Sequence, residues 1–399
     1  MLRSLFSGIT GLRQHQTLMD VVSNNIANVN TTGFKASSVV FEDTLSQTLK
    51  NAASPTTTAG GLNPAQVGLG VQLGAIGTNF GQGSAQNTGK STDLMIQGDG
   101  FFVVKGATET AYTRSGAFTF DTNGRLVTAE GALVQGWTGT NGVVNTDNPV
   151  ADIIVPAGIL VPPTPSTTVN LGGNISAGMT TAMTLGATVY DGAGLAHALR
   201  IVLTPSGAGS STVDVEEGPP ASITGTQGTA IFTATGTFDP SSTPASITLA
   251  DGTPITVDLA ALTQFGGPKS LSVTAVDGAA AGSLQQFQIG ADGSVLGIFS
   301  NGQKLVMAKL ALANFNNPPG LEKIGNTSFR ATVNSGLAQV GTAGSGGRGQ
   351  LLGSTLEMSN VDLAQEFTNL IIAQRGFQAN SRVITTSDQM LQDLVDIKR

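Results

Sequence analysis

Both ends of this 399-residue chain carry an apolar stripe at the spacing of a helical seam, and the middle does not. Near the N-terminus Leu2, Leu5, Ile9, Leu12, Gln16, Met19, Ser23 and Ile26 step alternately by three and four, and six of the eight are apolar. That is the heptad of a coiled coil. The stepping stops at Asn28-Val29-Asn30-Thr31-Thr32-Gly33, a run of helix-ending and turn residues. Near the C-terminus Leu363, Phe367, Leu370, Gln374, Phe377, Ser381, Ile384, Asp388, Leu391 and Val395 repeat it, with seven of ten apolar. Ser359 to Asp362 has capping-box spacing just before this run. Asp362 and Glu366 sit where a helix dipole favours anions, and Lys398 and Arg399 where it favours cations.

Neither helix is built to stand alone. Gly8, Gly11 and Gly376 each cost about 1 kcal/mol relative to alanine, and an isolated helix gains little without a packed face. Each helix therefore needs a partner, the other helix or another molecule. Inside the helices lie two stretches of small, flexible residues expected to be loose linkers, Asn51 to Gln66 and Gly341 to Gly349. Between them Asp-Gly or Asn-Gly pairs begin at Asp99, Asn123, Asn141, Asp191, Asp251, Asp277, Asp292 and Asn301. With runs such as Phe101-Phe102-Val103-Val104 and Ser270-Leu271-Ser272-Val273 beside them, they predict hairpins and a mainly β interior.

Composition removes several functions. Nineteen Lys and Arg against 26 Asp and Glu, with no basic cluster, argue against nucleic acid. No apolar run approaches the roughly 20 residues of a membrane helix. The first residues lack the apolar core and cleavage site of a signal peptide. Cysteine is absent, so no disulfide or thiolate site is available. Residues 147–284 hold ten acidic groups against Arg200 and Lys269 alone, while the rest of the chain is near neutral. An acidic surface repels its own copies and stays solvated; near-neutral surfaces can pack on copies of themselves.

The chemical motifs have ordinary explanations. Ser84 to Ser91 ends in Gly-Lys-Ser, but Ser84 stands where a phosphate loop needs glycine, and strand-like residues follow instead of a helix. Asp121 to Gly124 resembles the start of a calcium loop but lacks its later ligands, so a hairpin turn is expected. The two histidines, His15 and His197, are expected to be solvated, and Glu216-Glu217 reads as surface charge pointing to opposite strand faces. No catalytic, metal or cofactor site emerges, and no cofactor is expected.

Three motifs then carry a resemblance. Asn24-Asn25-Ile26-Ala27-Asn28-Val29-Asn30-Thr31-Thr32-Gly33-Phe34-Lys35 resembles the N-terminal signature of the flagellar rod and hook axial proteins. Gln97-Gly98-Asp99-Gly100-Phe101-Phe102 is similar to their next shared segment. Leu356 to Leu363, containing Asn360, Val361 and Asp362, with Gln374-Arg375-Gly376-Phe377-Gln378-Ala379-Asn380, resembles their C-terminal one. Val189 to His197, Leu312 to Phe315 and Gly341 to Gly346 are most similar to the hook branch of that family.

The resemblance implies a non-enzymatic building block of the curved, flexible tube that carries motor torque from rod to filament. Its subunits would leave the cell through the flagellar type III export apparatus without a cleaved leader. The expected fold is mainly β with terminal helices. A coiled-coil domain would comprise 1–30 and 359–399, and a connecting segment 31–70 and 356–358. An inner β domain of 71–146 and 285–355 would carry an inserted acidic outer β domain of 147–284, divisible at Gly207 to Ser211 or Gly218-Pro219-Pro220. Self-assembly would run through Leu2, Leu5, Ile9, Leu12, Met19, Ile26, Leu363, Phe367, Leu370, Phe377, Ile384, Leu391 and Val395. The implied partners are further copies, the distal rod protein, the hook cap, the hook–filament junction protein and the hook-length ruler; nucleic acid and membrane are not expected. The competing readings are a distal rod or junction subunit and, from another class, a secreted β-rich adhesin.

Overall fold

In the computed structural model the described residues are 2–52, 54–55, 60–106, 109–140, 142–156, 158–207, 209–218 and 223–397. The fold is mostly β with a long helix near each end, α1 (Leu2–Ala27) and α2 (Leu363–Asp396). The chain divides into one body of residues 1–155, 288–295 and 306–399 and another of 156–287 and 296–305.

The first body is organised by the run Phe101-Phe102-Val103-Val104. Four consecutive apolar residues suit a strand covered on both faces, and Phe101–Lys105 is that strand. It pairs antiparallel with Thr110–Thr113, with Leu133–Thr140 and with Lys304–Asn314. Phe101 and Val103 point into one core with Tyr112, Trp137, Phe315 and Phe329. Aromatic edges meet there, Tyr112 on Phe315 at 4.8 Å and Phe101 on Phe315 at 5.8 Å between ring centres. Phe102 points the other way, against Phe118 at 5.0 Å.

Two antiparallel ribbons prolong this body, Ser37–Asp43 with Val71–Thr78 and Ser46–Lys50 with Ala65–Gly68. The second ribbon takes in Gln66, so the expected loose stretch is partly strand. Residues 53 and 56–59 of that stretch lie outside the described residues. Gly341 to Gly349 is not loose either. Positive φ at Gly344, Gly346 and Gly347 folds it into a turn, and Arg348 Nε closes it by donating to Thr342 O at 3.0 Å. Flexible composition here served a tight turn and not a linker.

The second body follows strict alternation. Met183–Tyr190, Ala196–Gly207 and Ser210–Glu217 form one antiparallel sheet. In another, Thr168–Asn174 runs parallel to Pro254–Thr263 and antiparallel to Ser272–Val276. The inward residues of both sheets, among them Val189, Leu199, Ile201, Val213, Val215, Ile255 and Val257, make one apolar core. Gly207, Gly209 to Ser211 and Gly218 lie within its chain span, and Ala208, Pro219 and Pro220 lie outside the described residues.

Of the eight Asp-Gly and Asn-Gly pairs, those at Asn123, Asp191, Asp251, Asp292 and Asn301 join neighbouring strands as expected. Asn141 lies outside the described residues, although its flanks Leu133–Thr140 and Val143–Val144 pair. Asp99 and Asp277 differ. Asp99-Gly100 lies between Leu94–Gln97 and Phe101–Lys105, which pair with other strands. Asp277 caps Thr167 and Thr168 from 110 and 109 residues away.

His197 is also not solvated. Its Nδ1 lies 2.5 Å from Glu217 Oε1 and its Nε2 3.3 Å from Asp191 Oδ2, with the side chain 14% exposed. Glu216 faces the opposite side and pairs with Arg200 at 3.6 Å. The alternation of the two glutamates was readable locally; the histidine between acids depends on the register of three strands.

Candidate functional site: the terminal helix pair and its anchor

The helices run antiparallel, and their contacts keep one register. Ser4 meets Ser387 at 3.5 Å, an added Cβ on Gly8 would touch Ile384 at 3.3 Å, and Asn25 Nδ2 donates to Glu366 Oε1 at 2.9 Å. Between these points Gly11 lies against Asn380 and Gly376 against the His15 ring, where any side chain on either glycine would collide. The glycines that weaken each helix alone thus let the two axes approach. Val22, Asn25, Ala373 and Ser387 are buried along the same line.

This seam runs one residue N-terminal of the apolar stripe on α1. It is lined by serine, glycine, histidine and asparagine, which an apolar heptad count passes over. Part of the stripe stays exposed. Ile9 is 39% exposed, Leu363 40%, Phe367 50%, Phe377 36% and Val395 63%. Leu5, Leu12, Met19, Ile26, Leu370, Ile384 and Leu391 are half-buried, and the Leu2 side chain lies outside the described residues. Phe6, Ile371 and Ile372, which the heptad does not include, add further exposed apolar surface.

Below the helix pair, three distant segments are tied by one buried ion pair. Lys35 Nζ lies 2.6 Å from Glu357 Oε1, and both side chains are wholly buried. Lys35 also donates to Gly81 O at 2.8 Å, and Glu357 accepts from the Gly83 amide at 2.9 Å. Arg114 Nη1 faces the other Glu357 oxygen at 3.6 Å, donates to Gly98 O at 2.9 Å and lies over the Phe101 ring. Burial pushes both Lys35 and Arg114 below their usual ranges, and Glu357 opposes the shift in each.

Other signature residues surround the pair. Gly33 takes φ +70 and donates to Glu357 O at 2.8 Å, with the Ser115 amide where a side chain would stand. Asn360 accepts from the Ala36 amide at 2.9 Å and donates to Asn79 O at 2.8 Å. Asn25 exchanges bonds with the backbone of Ser37, at 2.8 and 3.0 Å. Thr32 meets Ser115, Asn28 binds Asn24 O and Thr31, and Lys323 lies over the Phe34 ring. Asp362, not Ser359, is the N-cap of α2, accepting from Ala364 and Gln365. Ala27 ends α1, Gly100 takes φ +128 and Val361 is half-buried. Gln374 and Arg375 remain exposed on α2, apart from this cluster. Lys398 and Arg399 lie outside the described residues.

Sequence reading missed Glu357 and Arg114. A charged residue in an otherwise apolar and small-residue context was the available clue. Among the described residues no cluster of His, Asp or Glu is disposed to hold a metal, and no helix is long and apolar enough to cross a membrane.

Two helices held together by small residues, with apolar surface left outside and a locked anchor beneath, define a subunit of an axial assembly. Family models agree. Residues 5–35 match the flagella basal body rod protein model, 95–177 the flagellar hook protein FlgE/F/G D1 domain, and 353–397 the flagellar basal body rod FlgEFG protein C-terminal model. The chain is 36% identical to the flagellar hook protein FlgE of Treponema pallidum and 38% identical to that of Borreliella burgdorferi, over all of each chain. The crystal structure of Helicobacter pylori flagellar hook protein FlgE2 shares the fold at a TM-score of 0.53 and 15% identity, covering 68% of this chain and all of that one. The chain belongs to the flagellar hook protein family, and it is a structural subunit of the hook.

Proposed function

We propose that the helix pair is a coiled-coil layer through which copies polymerise into a curved, flexible tube that carries torque. The observation that supports this most is the exposed stripe on α2, where Phe367, Ile371 and Ile372 are 50–58% exposed on a helix whose seam is polar and small. Burying one such side chain is worth about 1.5–3 kcal/mol, so a row of them can drive assembly. The acidic body is the outer domain, inserted in the inner β domain, and its charge keeps neighbouring copies sliding as the tube bends. In this reading the subunit, a component of the flagellar hook, stands outside the cell. Passage through the type III export apparatus without a cleaved leader fits this reading, as do contacts with the distal rod protein, hook cap, junction protein and length ruler.

Electron microscopy of basal bodies from cells lacking the gene tests it. Complete rods ending without a hook are expected. Truncated rods would assign the chain to the distal rod, whose end motifs it shares, and hooks without filaments would assign it to the junction.

A further inference from the structure

One aromatic ring of the second body is held in solvent by its own backbone. Phe232 and Phe299 are buried there and Phe238 and Phe287 half-buried, but Phe265 is 46% exposed. The Asn174 side chain grips its peptide on both sides, Oδ1 accepting from the Phe265 amide at 2.7 Å and Nδ2 donating to Phe265 O at 3.3 Å. The Ala177 amide donates to the same oxygen at 3.2 Å, and the Gln264 amide donates to Gly236 O at 2.7 Å. The ring lies on Gly236, at φ +79, where a Cβ would come within 2.8 Å of ring Cδ1. Only glycine lets the ring settle there, and much of the ring is left in water.

Gly236 sits between Thr235 and Thr237, in a turn whose hydroxyls form a cluster. Thr233 Oγ1 lies 2.8 Å from Thr235 Oγ1 and 2.7 Å from Thr237 Oγ1, and it accepts from the Thr237 amide at 3.3 Å. All three threonines are exposed. A hydroxyl carries one hydrogen and two lone pairs, so the cluster still has acceptor sites to offer once its own bonds are made. On the other side of Phe265 its loop continues with Gly266 and Gly267, too small to cover the ring. Ring and cluster carry no charge, and the carboxylate of Asp239 is occupied by the Ser241 amide and hydroxyl at 2.9 and 2.8 Å.

We propose that Phe265 and the hydroxyls of Thr233, Thr235 and Thr237 bind a neutral glycan through one hexose ring. The C–H face of a hexopyranose is apolar and slightly positive, and it stacks on the negative face of an aromatic ring. The hydroxyl rim of the sugar supplies hydrogens to the free lone pairs of the threonine cluster. A protein partner is the poorer match, because a specific interface covers about 800 Å² per side and here one ring stands among small and hydroxyl-bearing residues. A single sugar ring held in this way binds at about 1 mM. The site is separate from the helix pair, so it neither needs nor alters self-assembly.

Saturation-transfer difference NMR on the full-length subunit tests this with maltohexaose and cellohexaose, each at about 5 mM, several-fold above the expected dissociation constant. Transfer to the hexose ring protons of at least one of them is expected. Phe265→Ala is expected to abolish it with an unchanged circular dichroism spectrum, and Phe265→Trp, with its larger ring, to keep or strengthen it. No transfer from the wild type, transfer that survives Phe265→Ala, or its loss in Phe265→Trp would overturn the proposal. Lys269→Ala, on the same loop, should bind as the wild type does. Loss of binding there would overturn the assignment of a neutral ligand. Phe265→Ala subunits should also polymerise at the wild-type concentration, and a raised one would make Phe265 a contact between copies instead.

Discussion

In the body of residues 156–287 and 296–305 the large apolar side chains are inside; along α2 they are outside. Ile201, Leu203, Val213, Val215, Ile255 and Val257 have no exposed surface at all. Each lies at an alternating position of a strand, so every second residue feeds one core and the acids between them face water. On α2 the line that touches α1 is Glu366, Ala373, Gly376, Asn380, Ile384 and Ser387, and Phe367, Phe377, Ile371 and Ile372 are exposed. One region completes its stability within the chain, and the other leaves much of it to be gained on association. A subunit that must wait for its place in a polymer is well served by that division. In the assembly proposed above, its β body folds at once and neighbouring copies cover its apolar helix surface.

The comparison breaks most sharply through substitutions that treat the two regions alike. Phe367→Asp puts a charge on the exposed stripe and is expected to abolish polymerisation, since a charge at a desolvated contact costs far more than the lost ring. Thermal unfolding of the β structure should not change. Loss of β structure in the monomer would mean that Phe367 supports the body it is supposed to be independent of. Ile201→Ala should do the reverse, destabilising the monomer by about 2–5 kcal/mol through the cavity it leaves. Denaturant unfolding of the monomer measures this, and a change below about 1 kcal/mol would show that the core is not packed as described.

The anchor between Lys35 and Glu357 belongs to neither rule. Its charges are buried, so the pair adds little net stability over an apolar isostere, but an orphaned partner is costly. Lys35→Ala is expected to cost about 3–5 kcal/mol by breaking the close pair and leaving Glu357 with only the more distant Arg114. Lys35→Met with Glu357→Leu should recover little, because it leaves the buried Arg114 without its carboxylate, and adding Arg114→Met should recover more. If the single variant unfolds no more readily than the wild type, the anchor is dispensable and the signature around it needs another reason.

How far the fold could be read from the sequence follows the range of the forces involved. The helices and several hairpins were legible because seam spacing, caps and Asp-Gly turns act over a few residues. Asp121 illustrates this, holding the Asn123 and Arg125 amides at 2.8 and 2.7 Å in the expected turn. On α1 the line that touches α2 lies one position before the apolar stripe, because the serine, glycine, histidine and asparagine that form it leave no apolar periodicity to read. Gly8, Gly11 and Gly376 were read only as weaknesses, since the gain from close approach requires knowing the partner. Lys35 and Glu357 lie 322 residues apart, beyond any local pattern.

The smallest expected effect separates the regions by pH. His197 lies between Glu217 and Asp191, with Gly192 of the same turn donating to Asp251 at 3.4 Å. The hydrogen bond to Glu217 raises His197 above its ordinary value of 6.5, burial opposes it, and Asp191 adds to the rise. A proton held more tightly in the folded state stabilises that state fully below the unfolded value and is lost as pH rises through the folded one. The melting temperature of this body should therefore fall between about pH 6.5 and the raised value, and His197→Gln should flatten that slope. With only two histidines in the chain, proton NMR can follow His197 directly. A titration midpoint at or below 6.5 would show that the acids do not hold the proton. The exposed stripe of α2 has no such group along Phe367, Ile371 and Ile372, so assembly driven by that surface should not share the histidine's pH dependence.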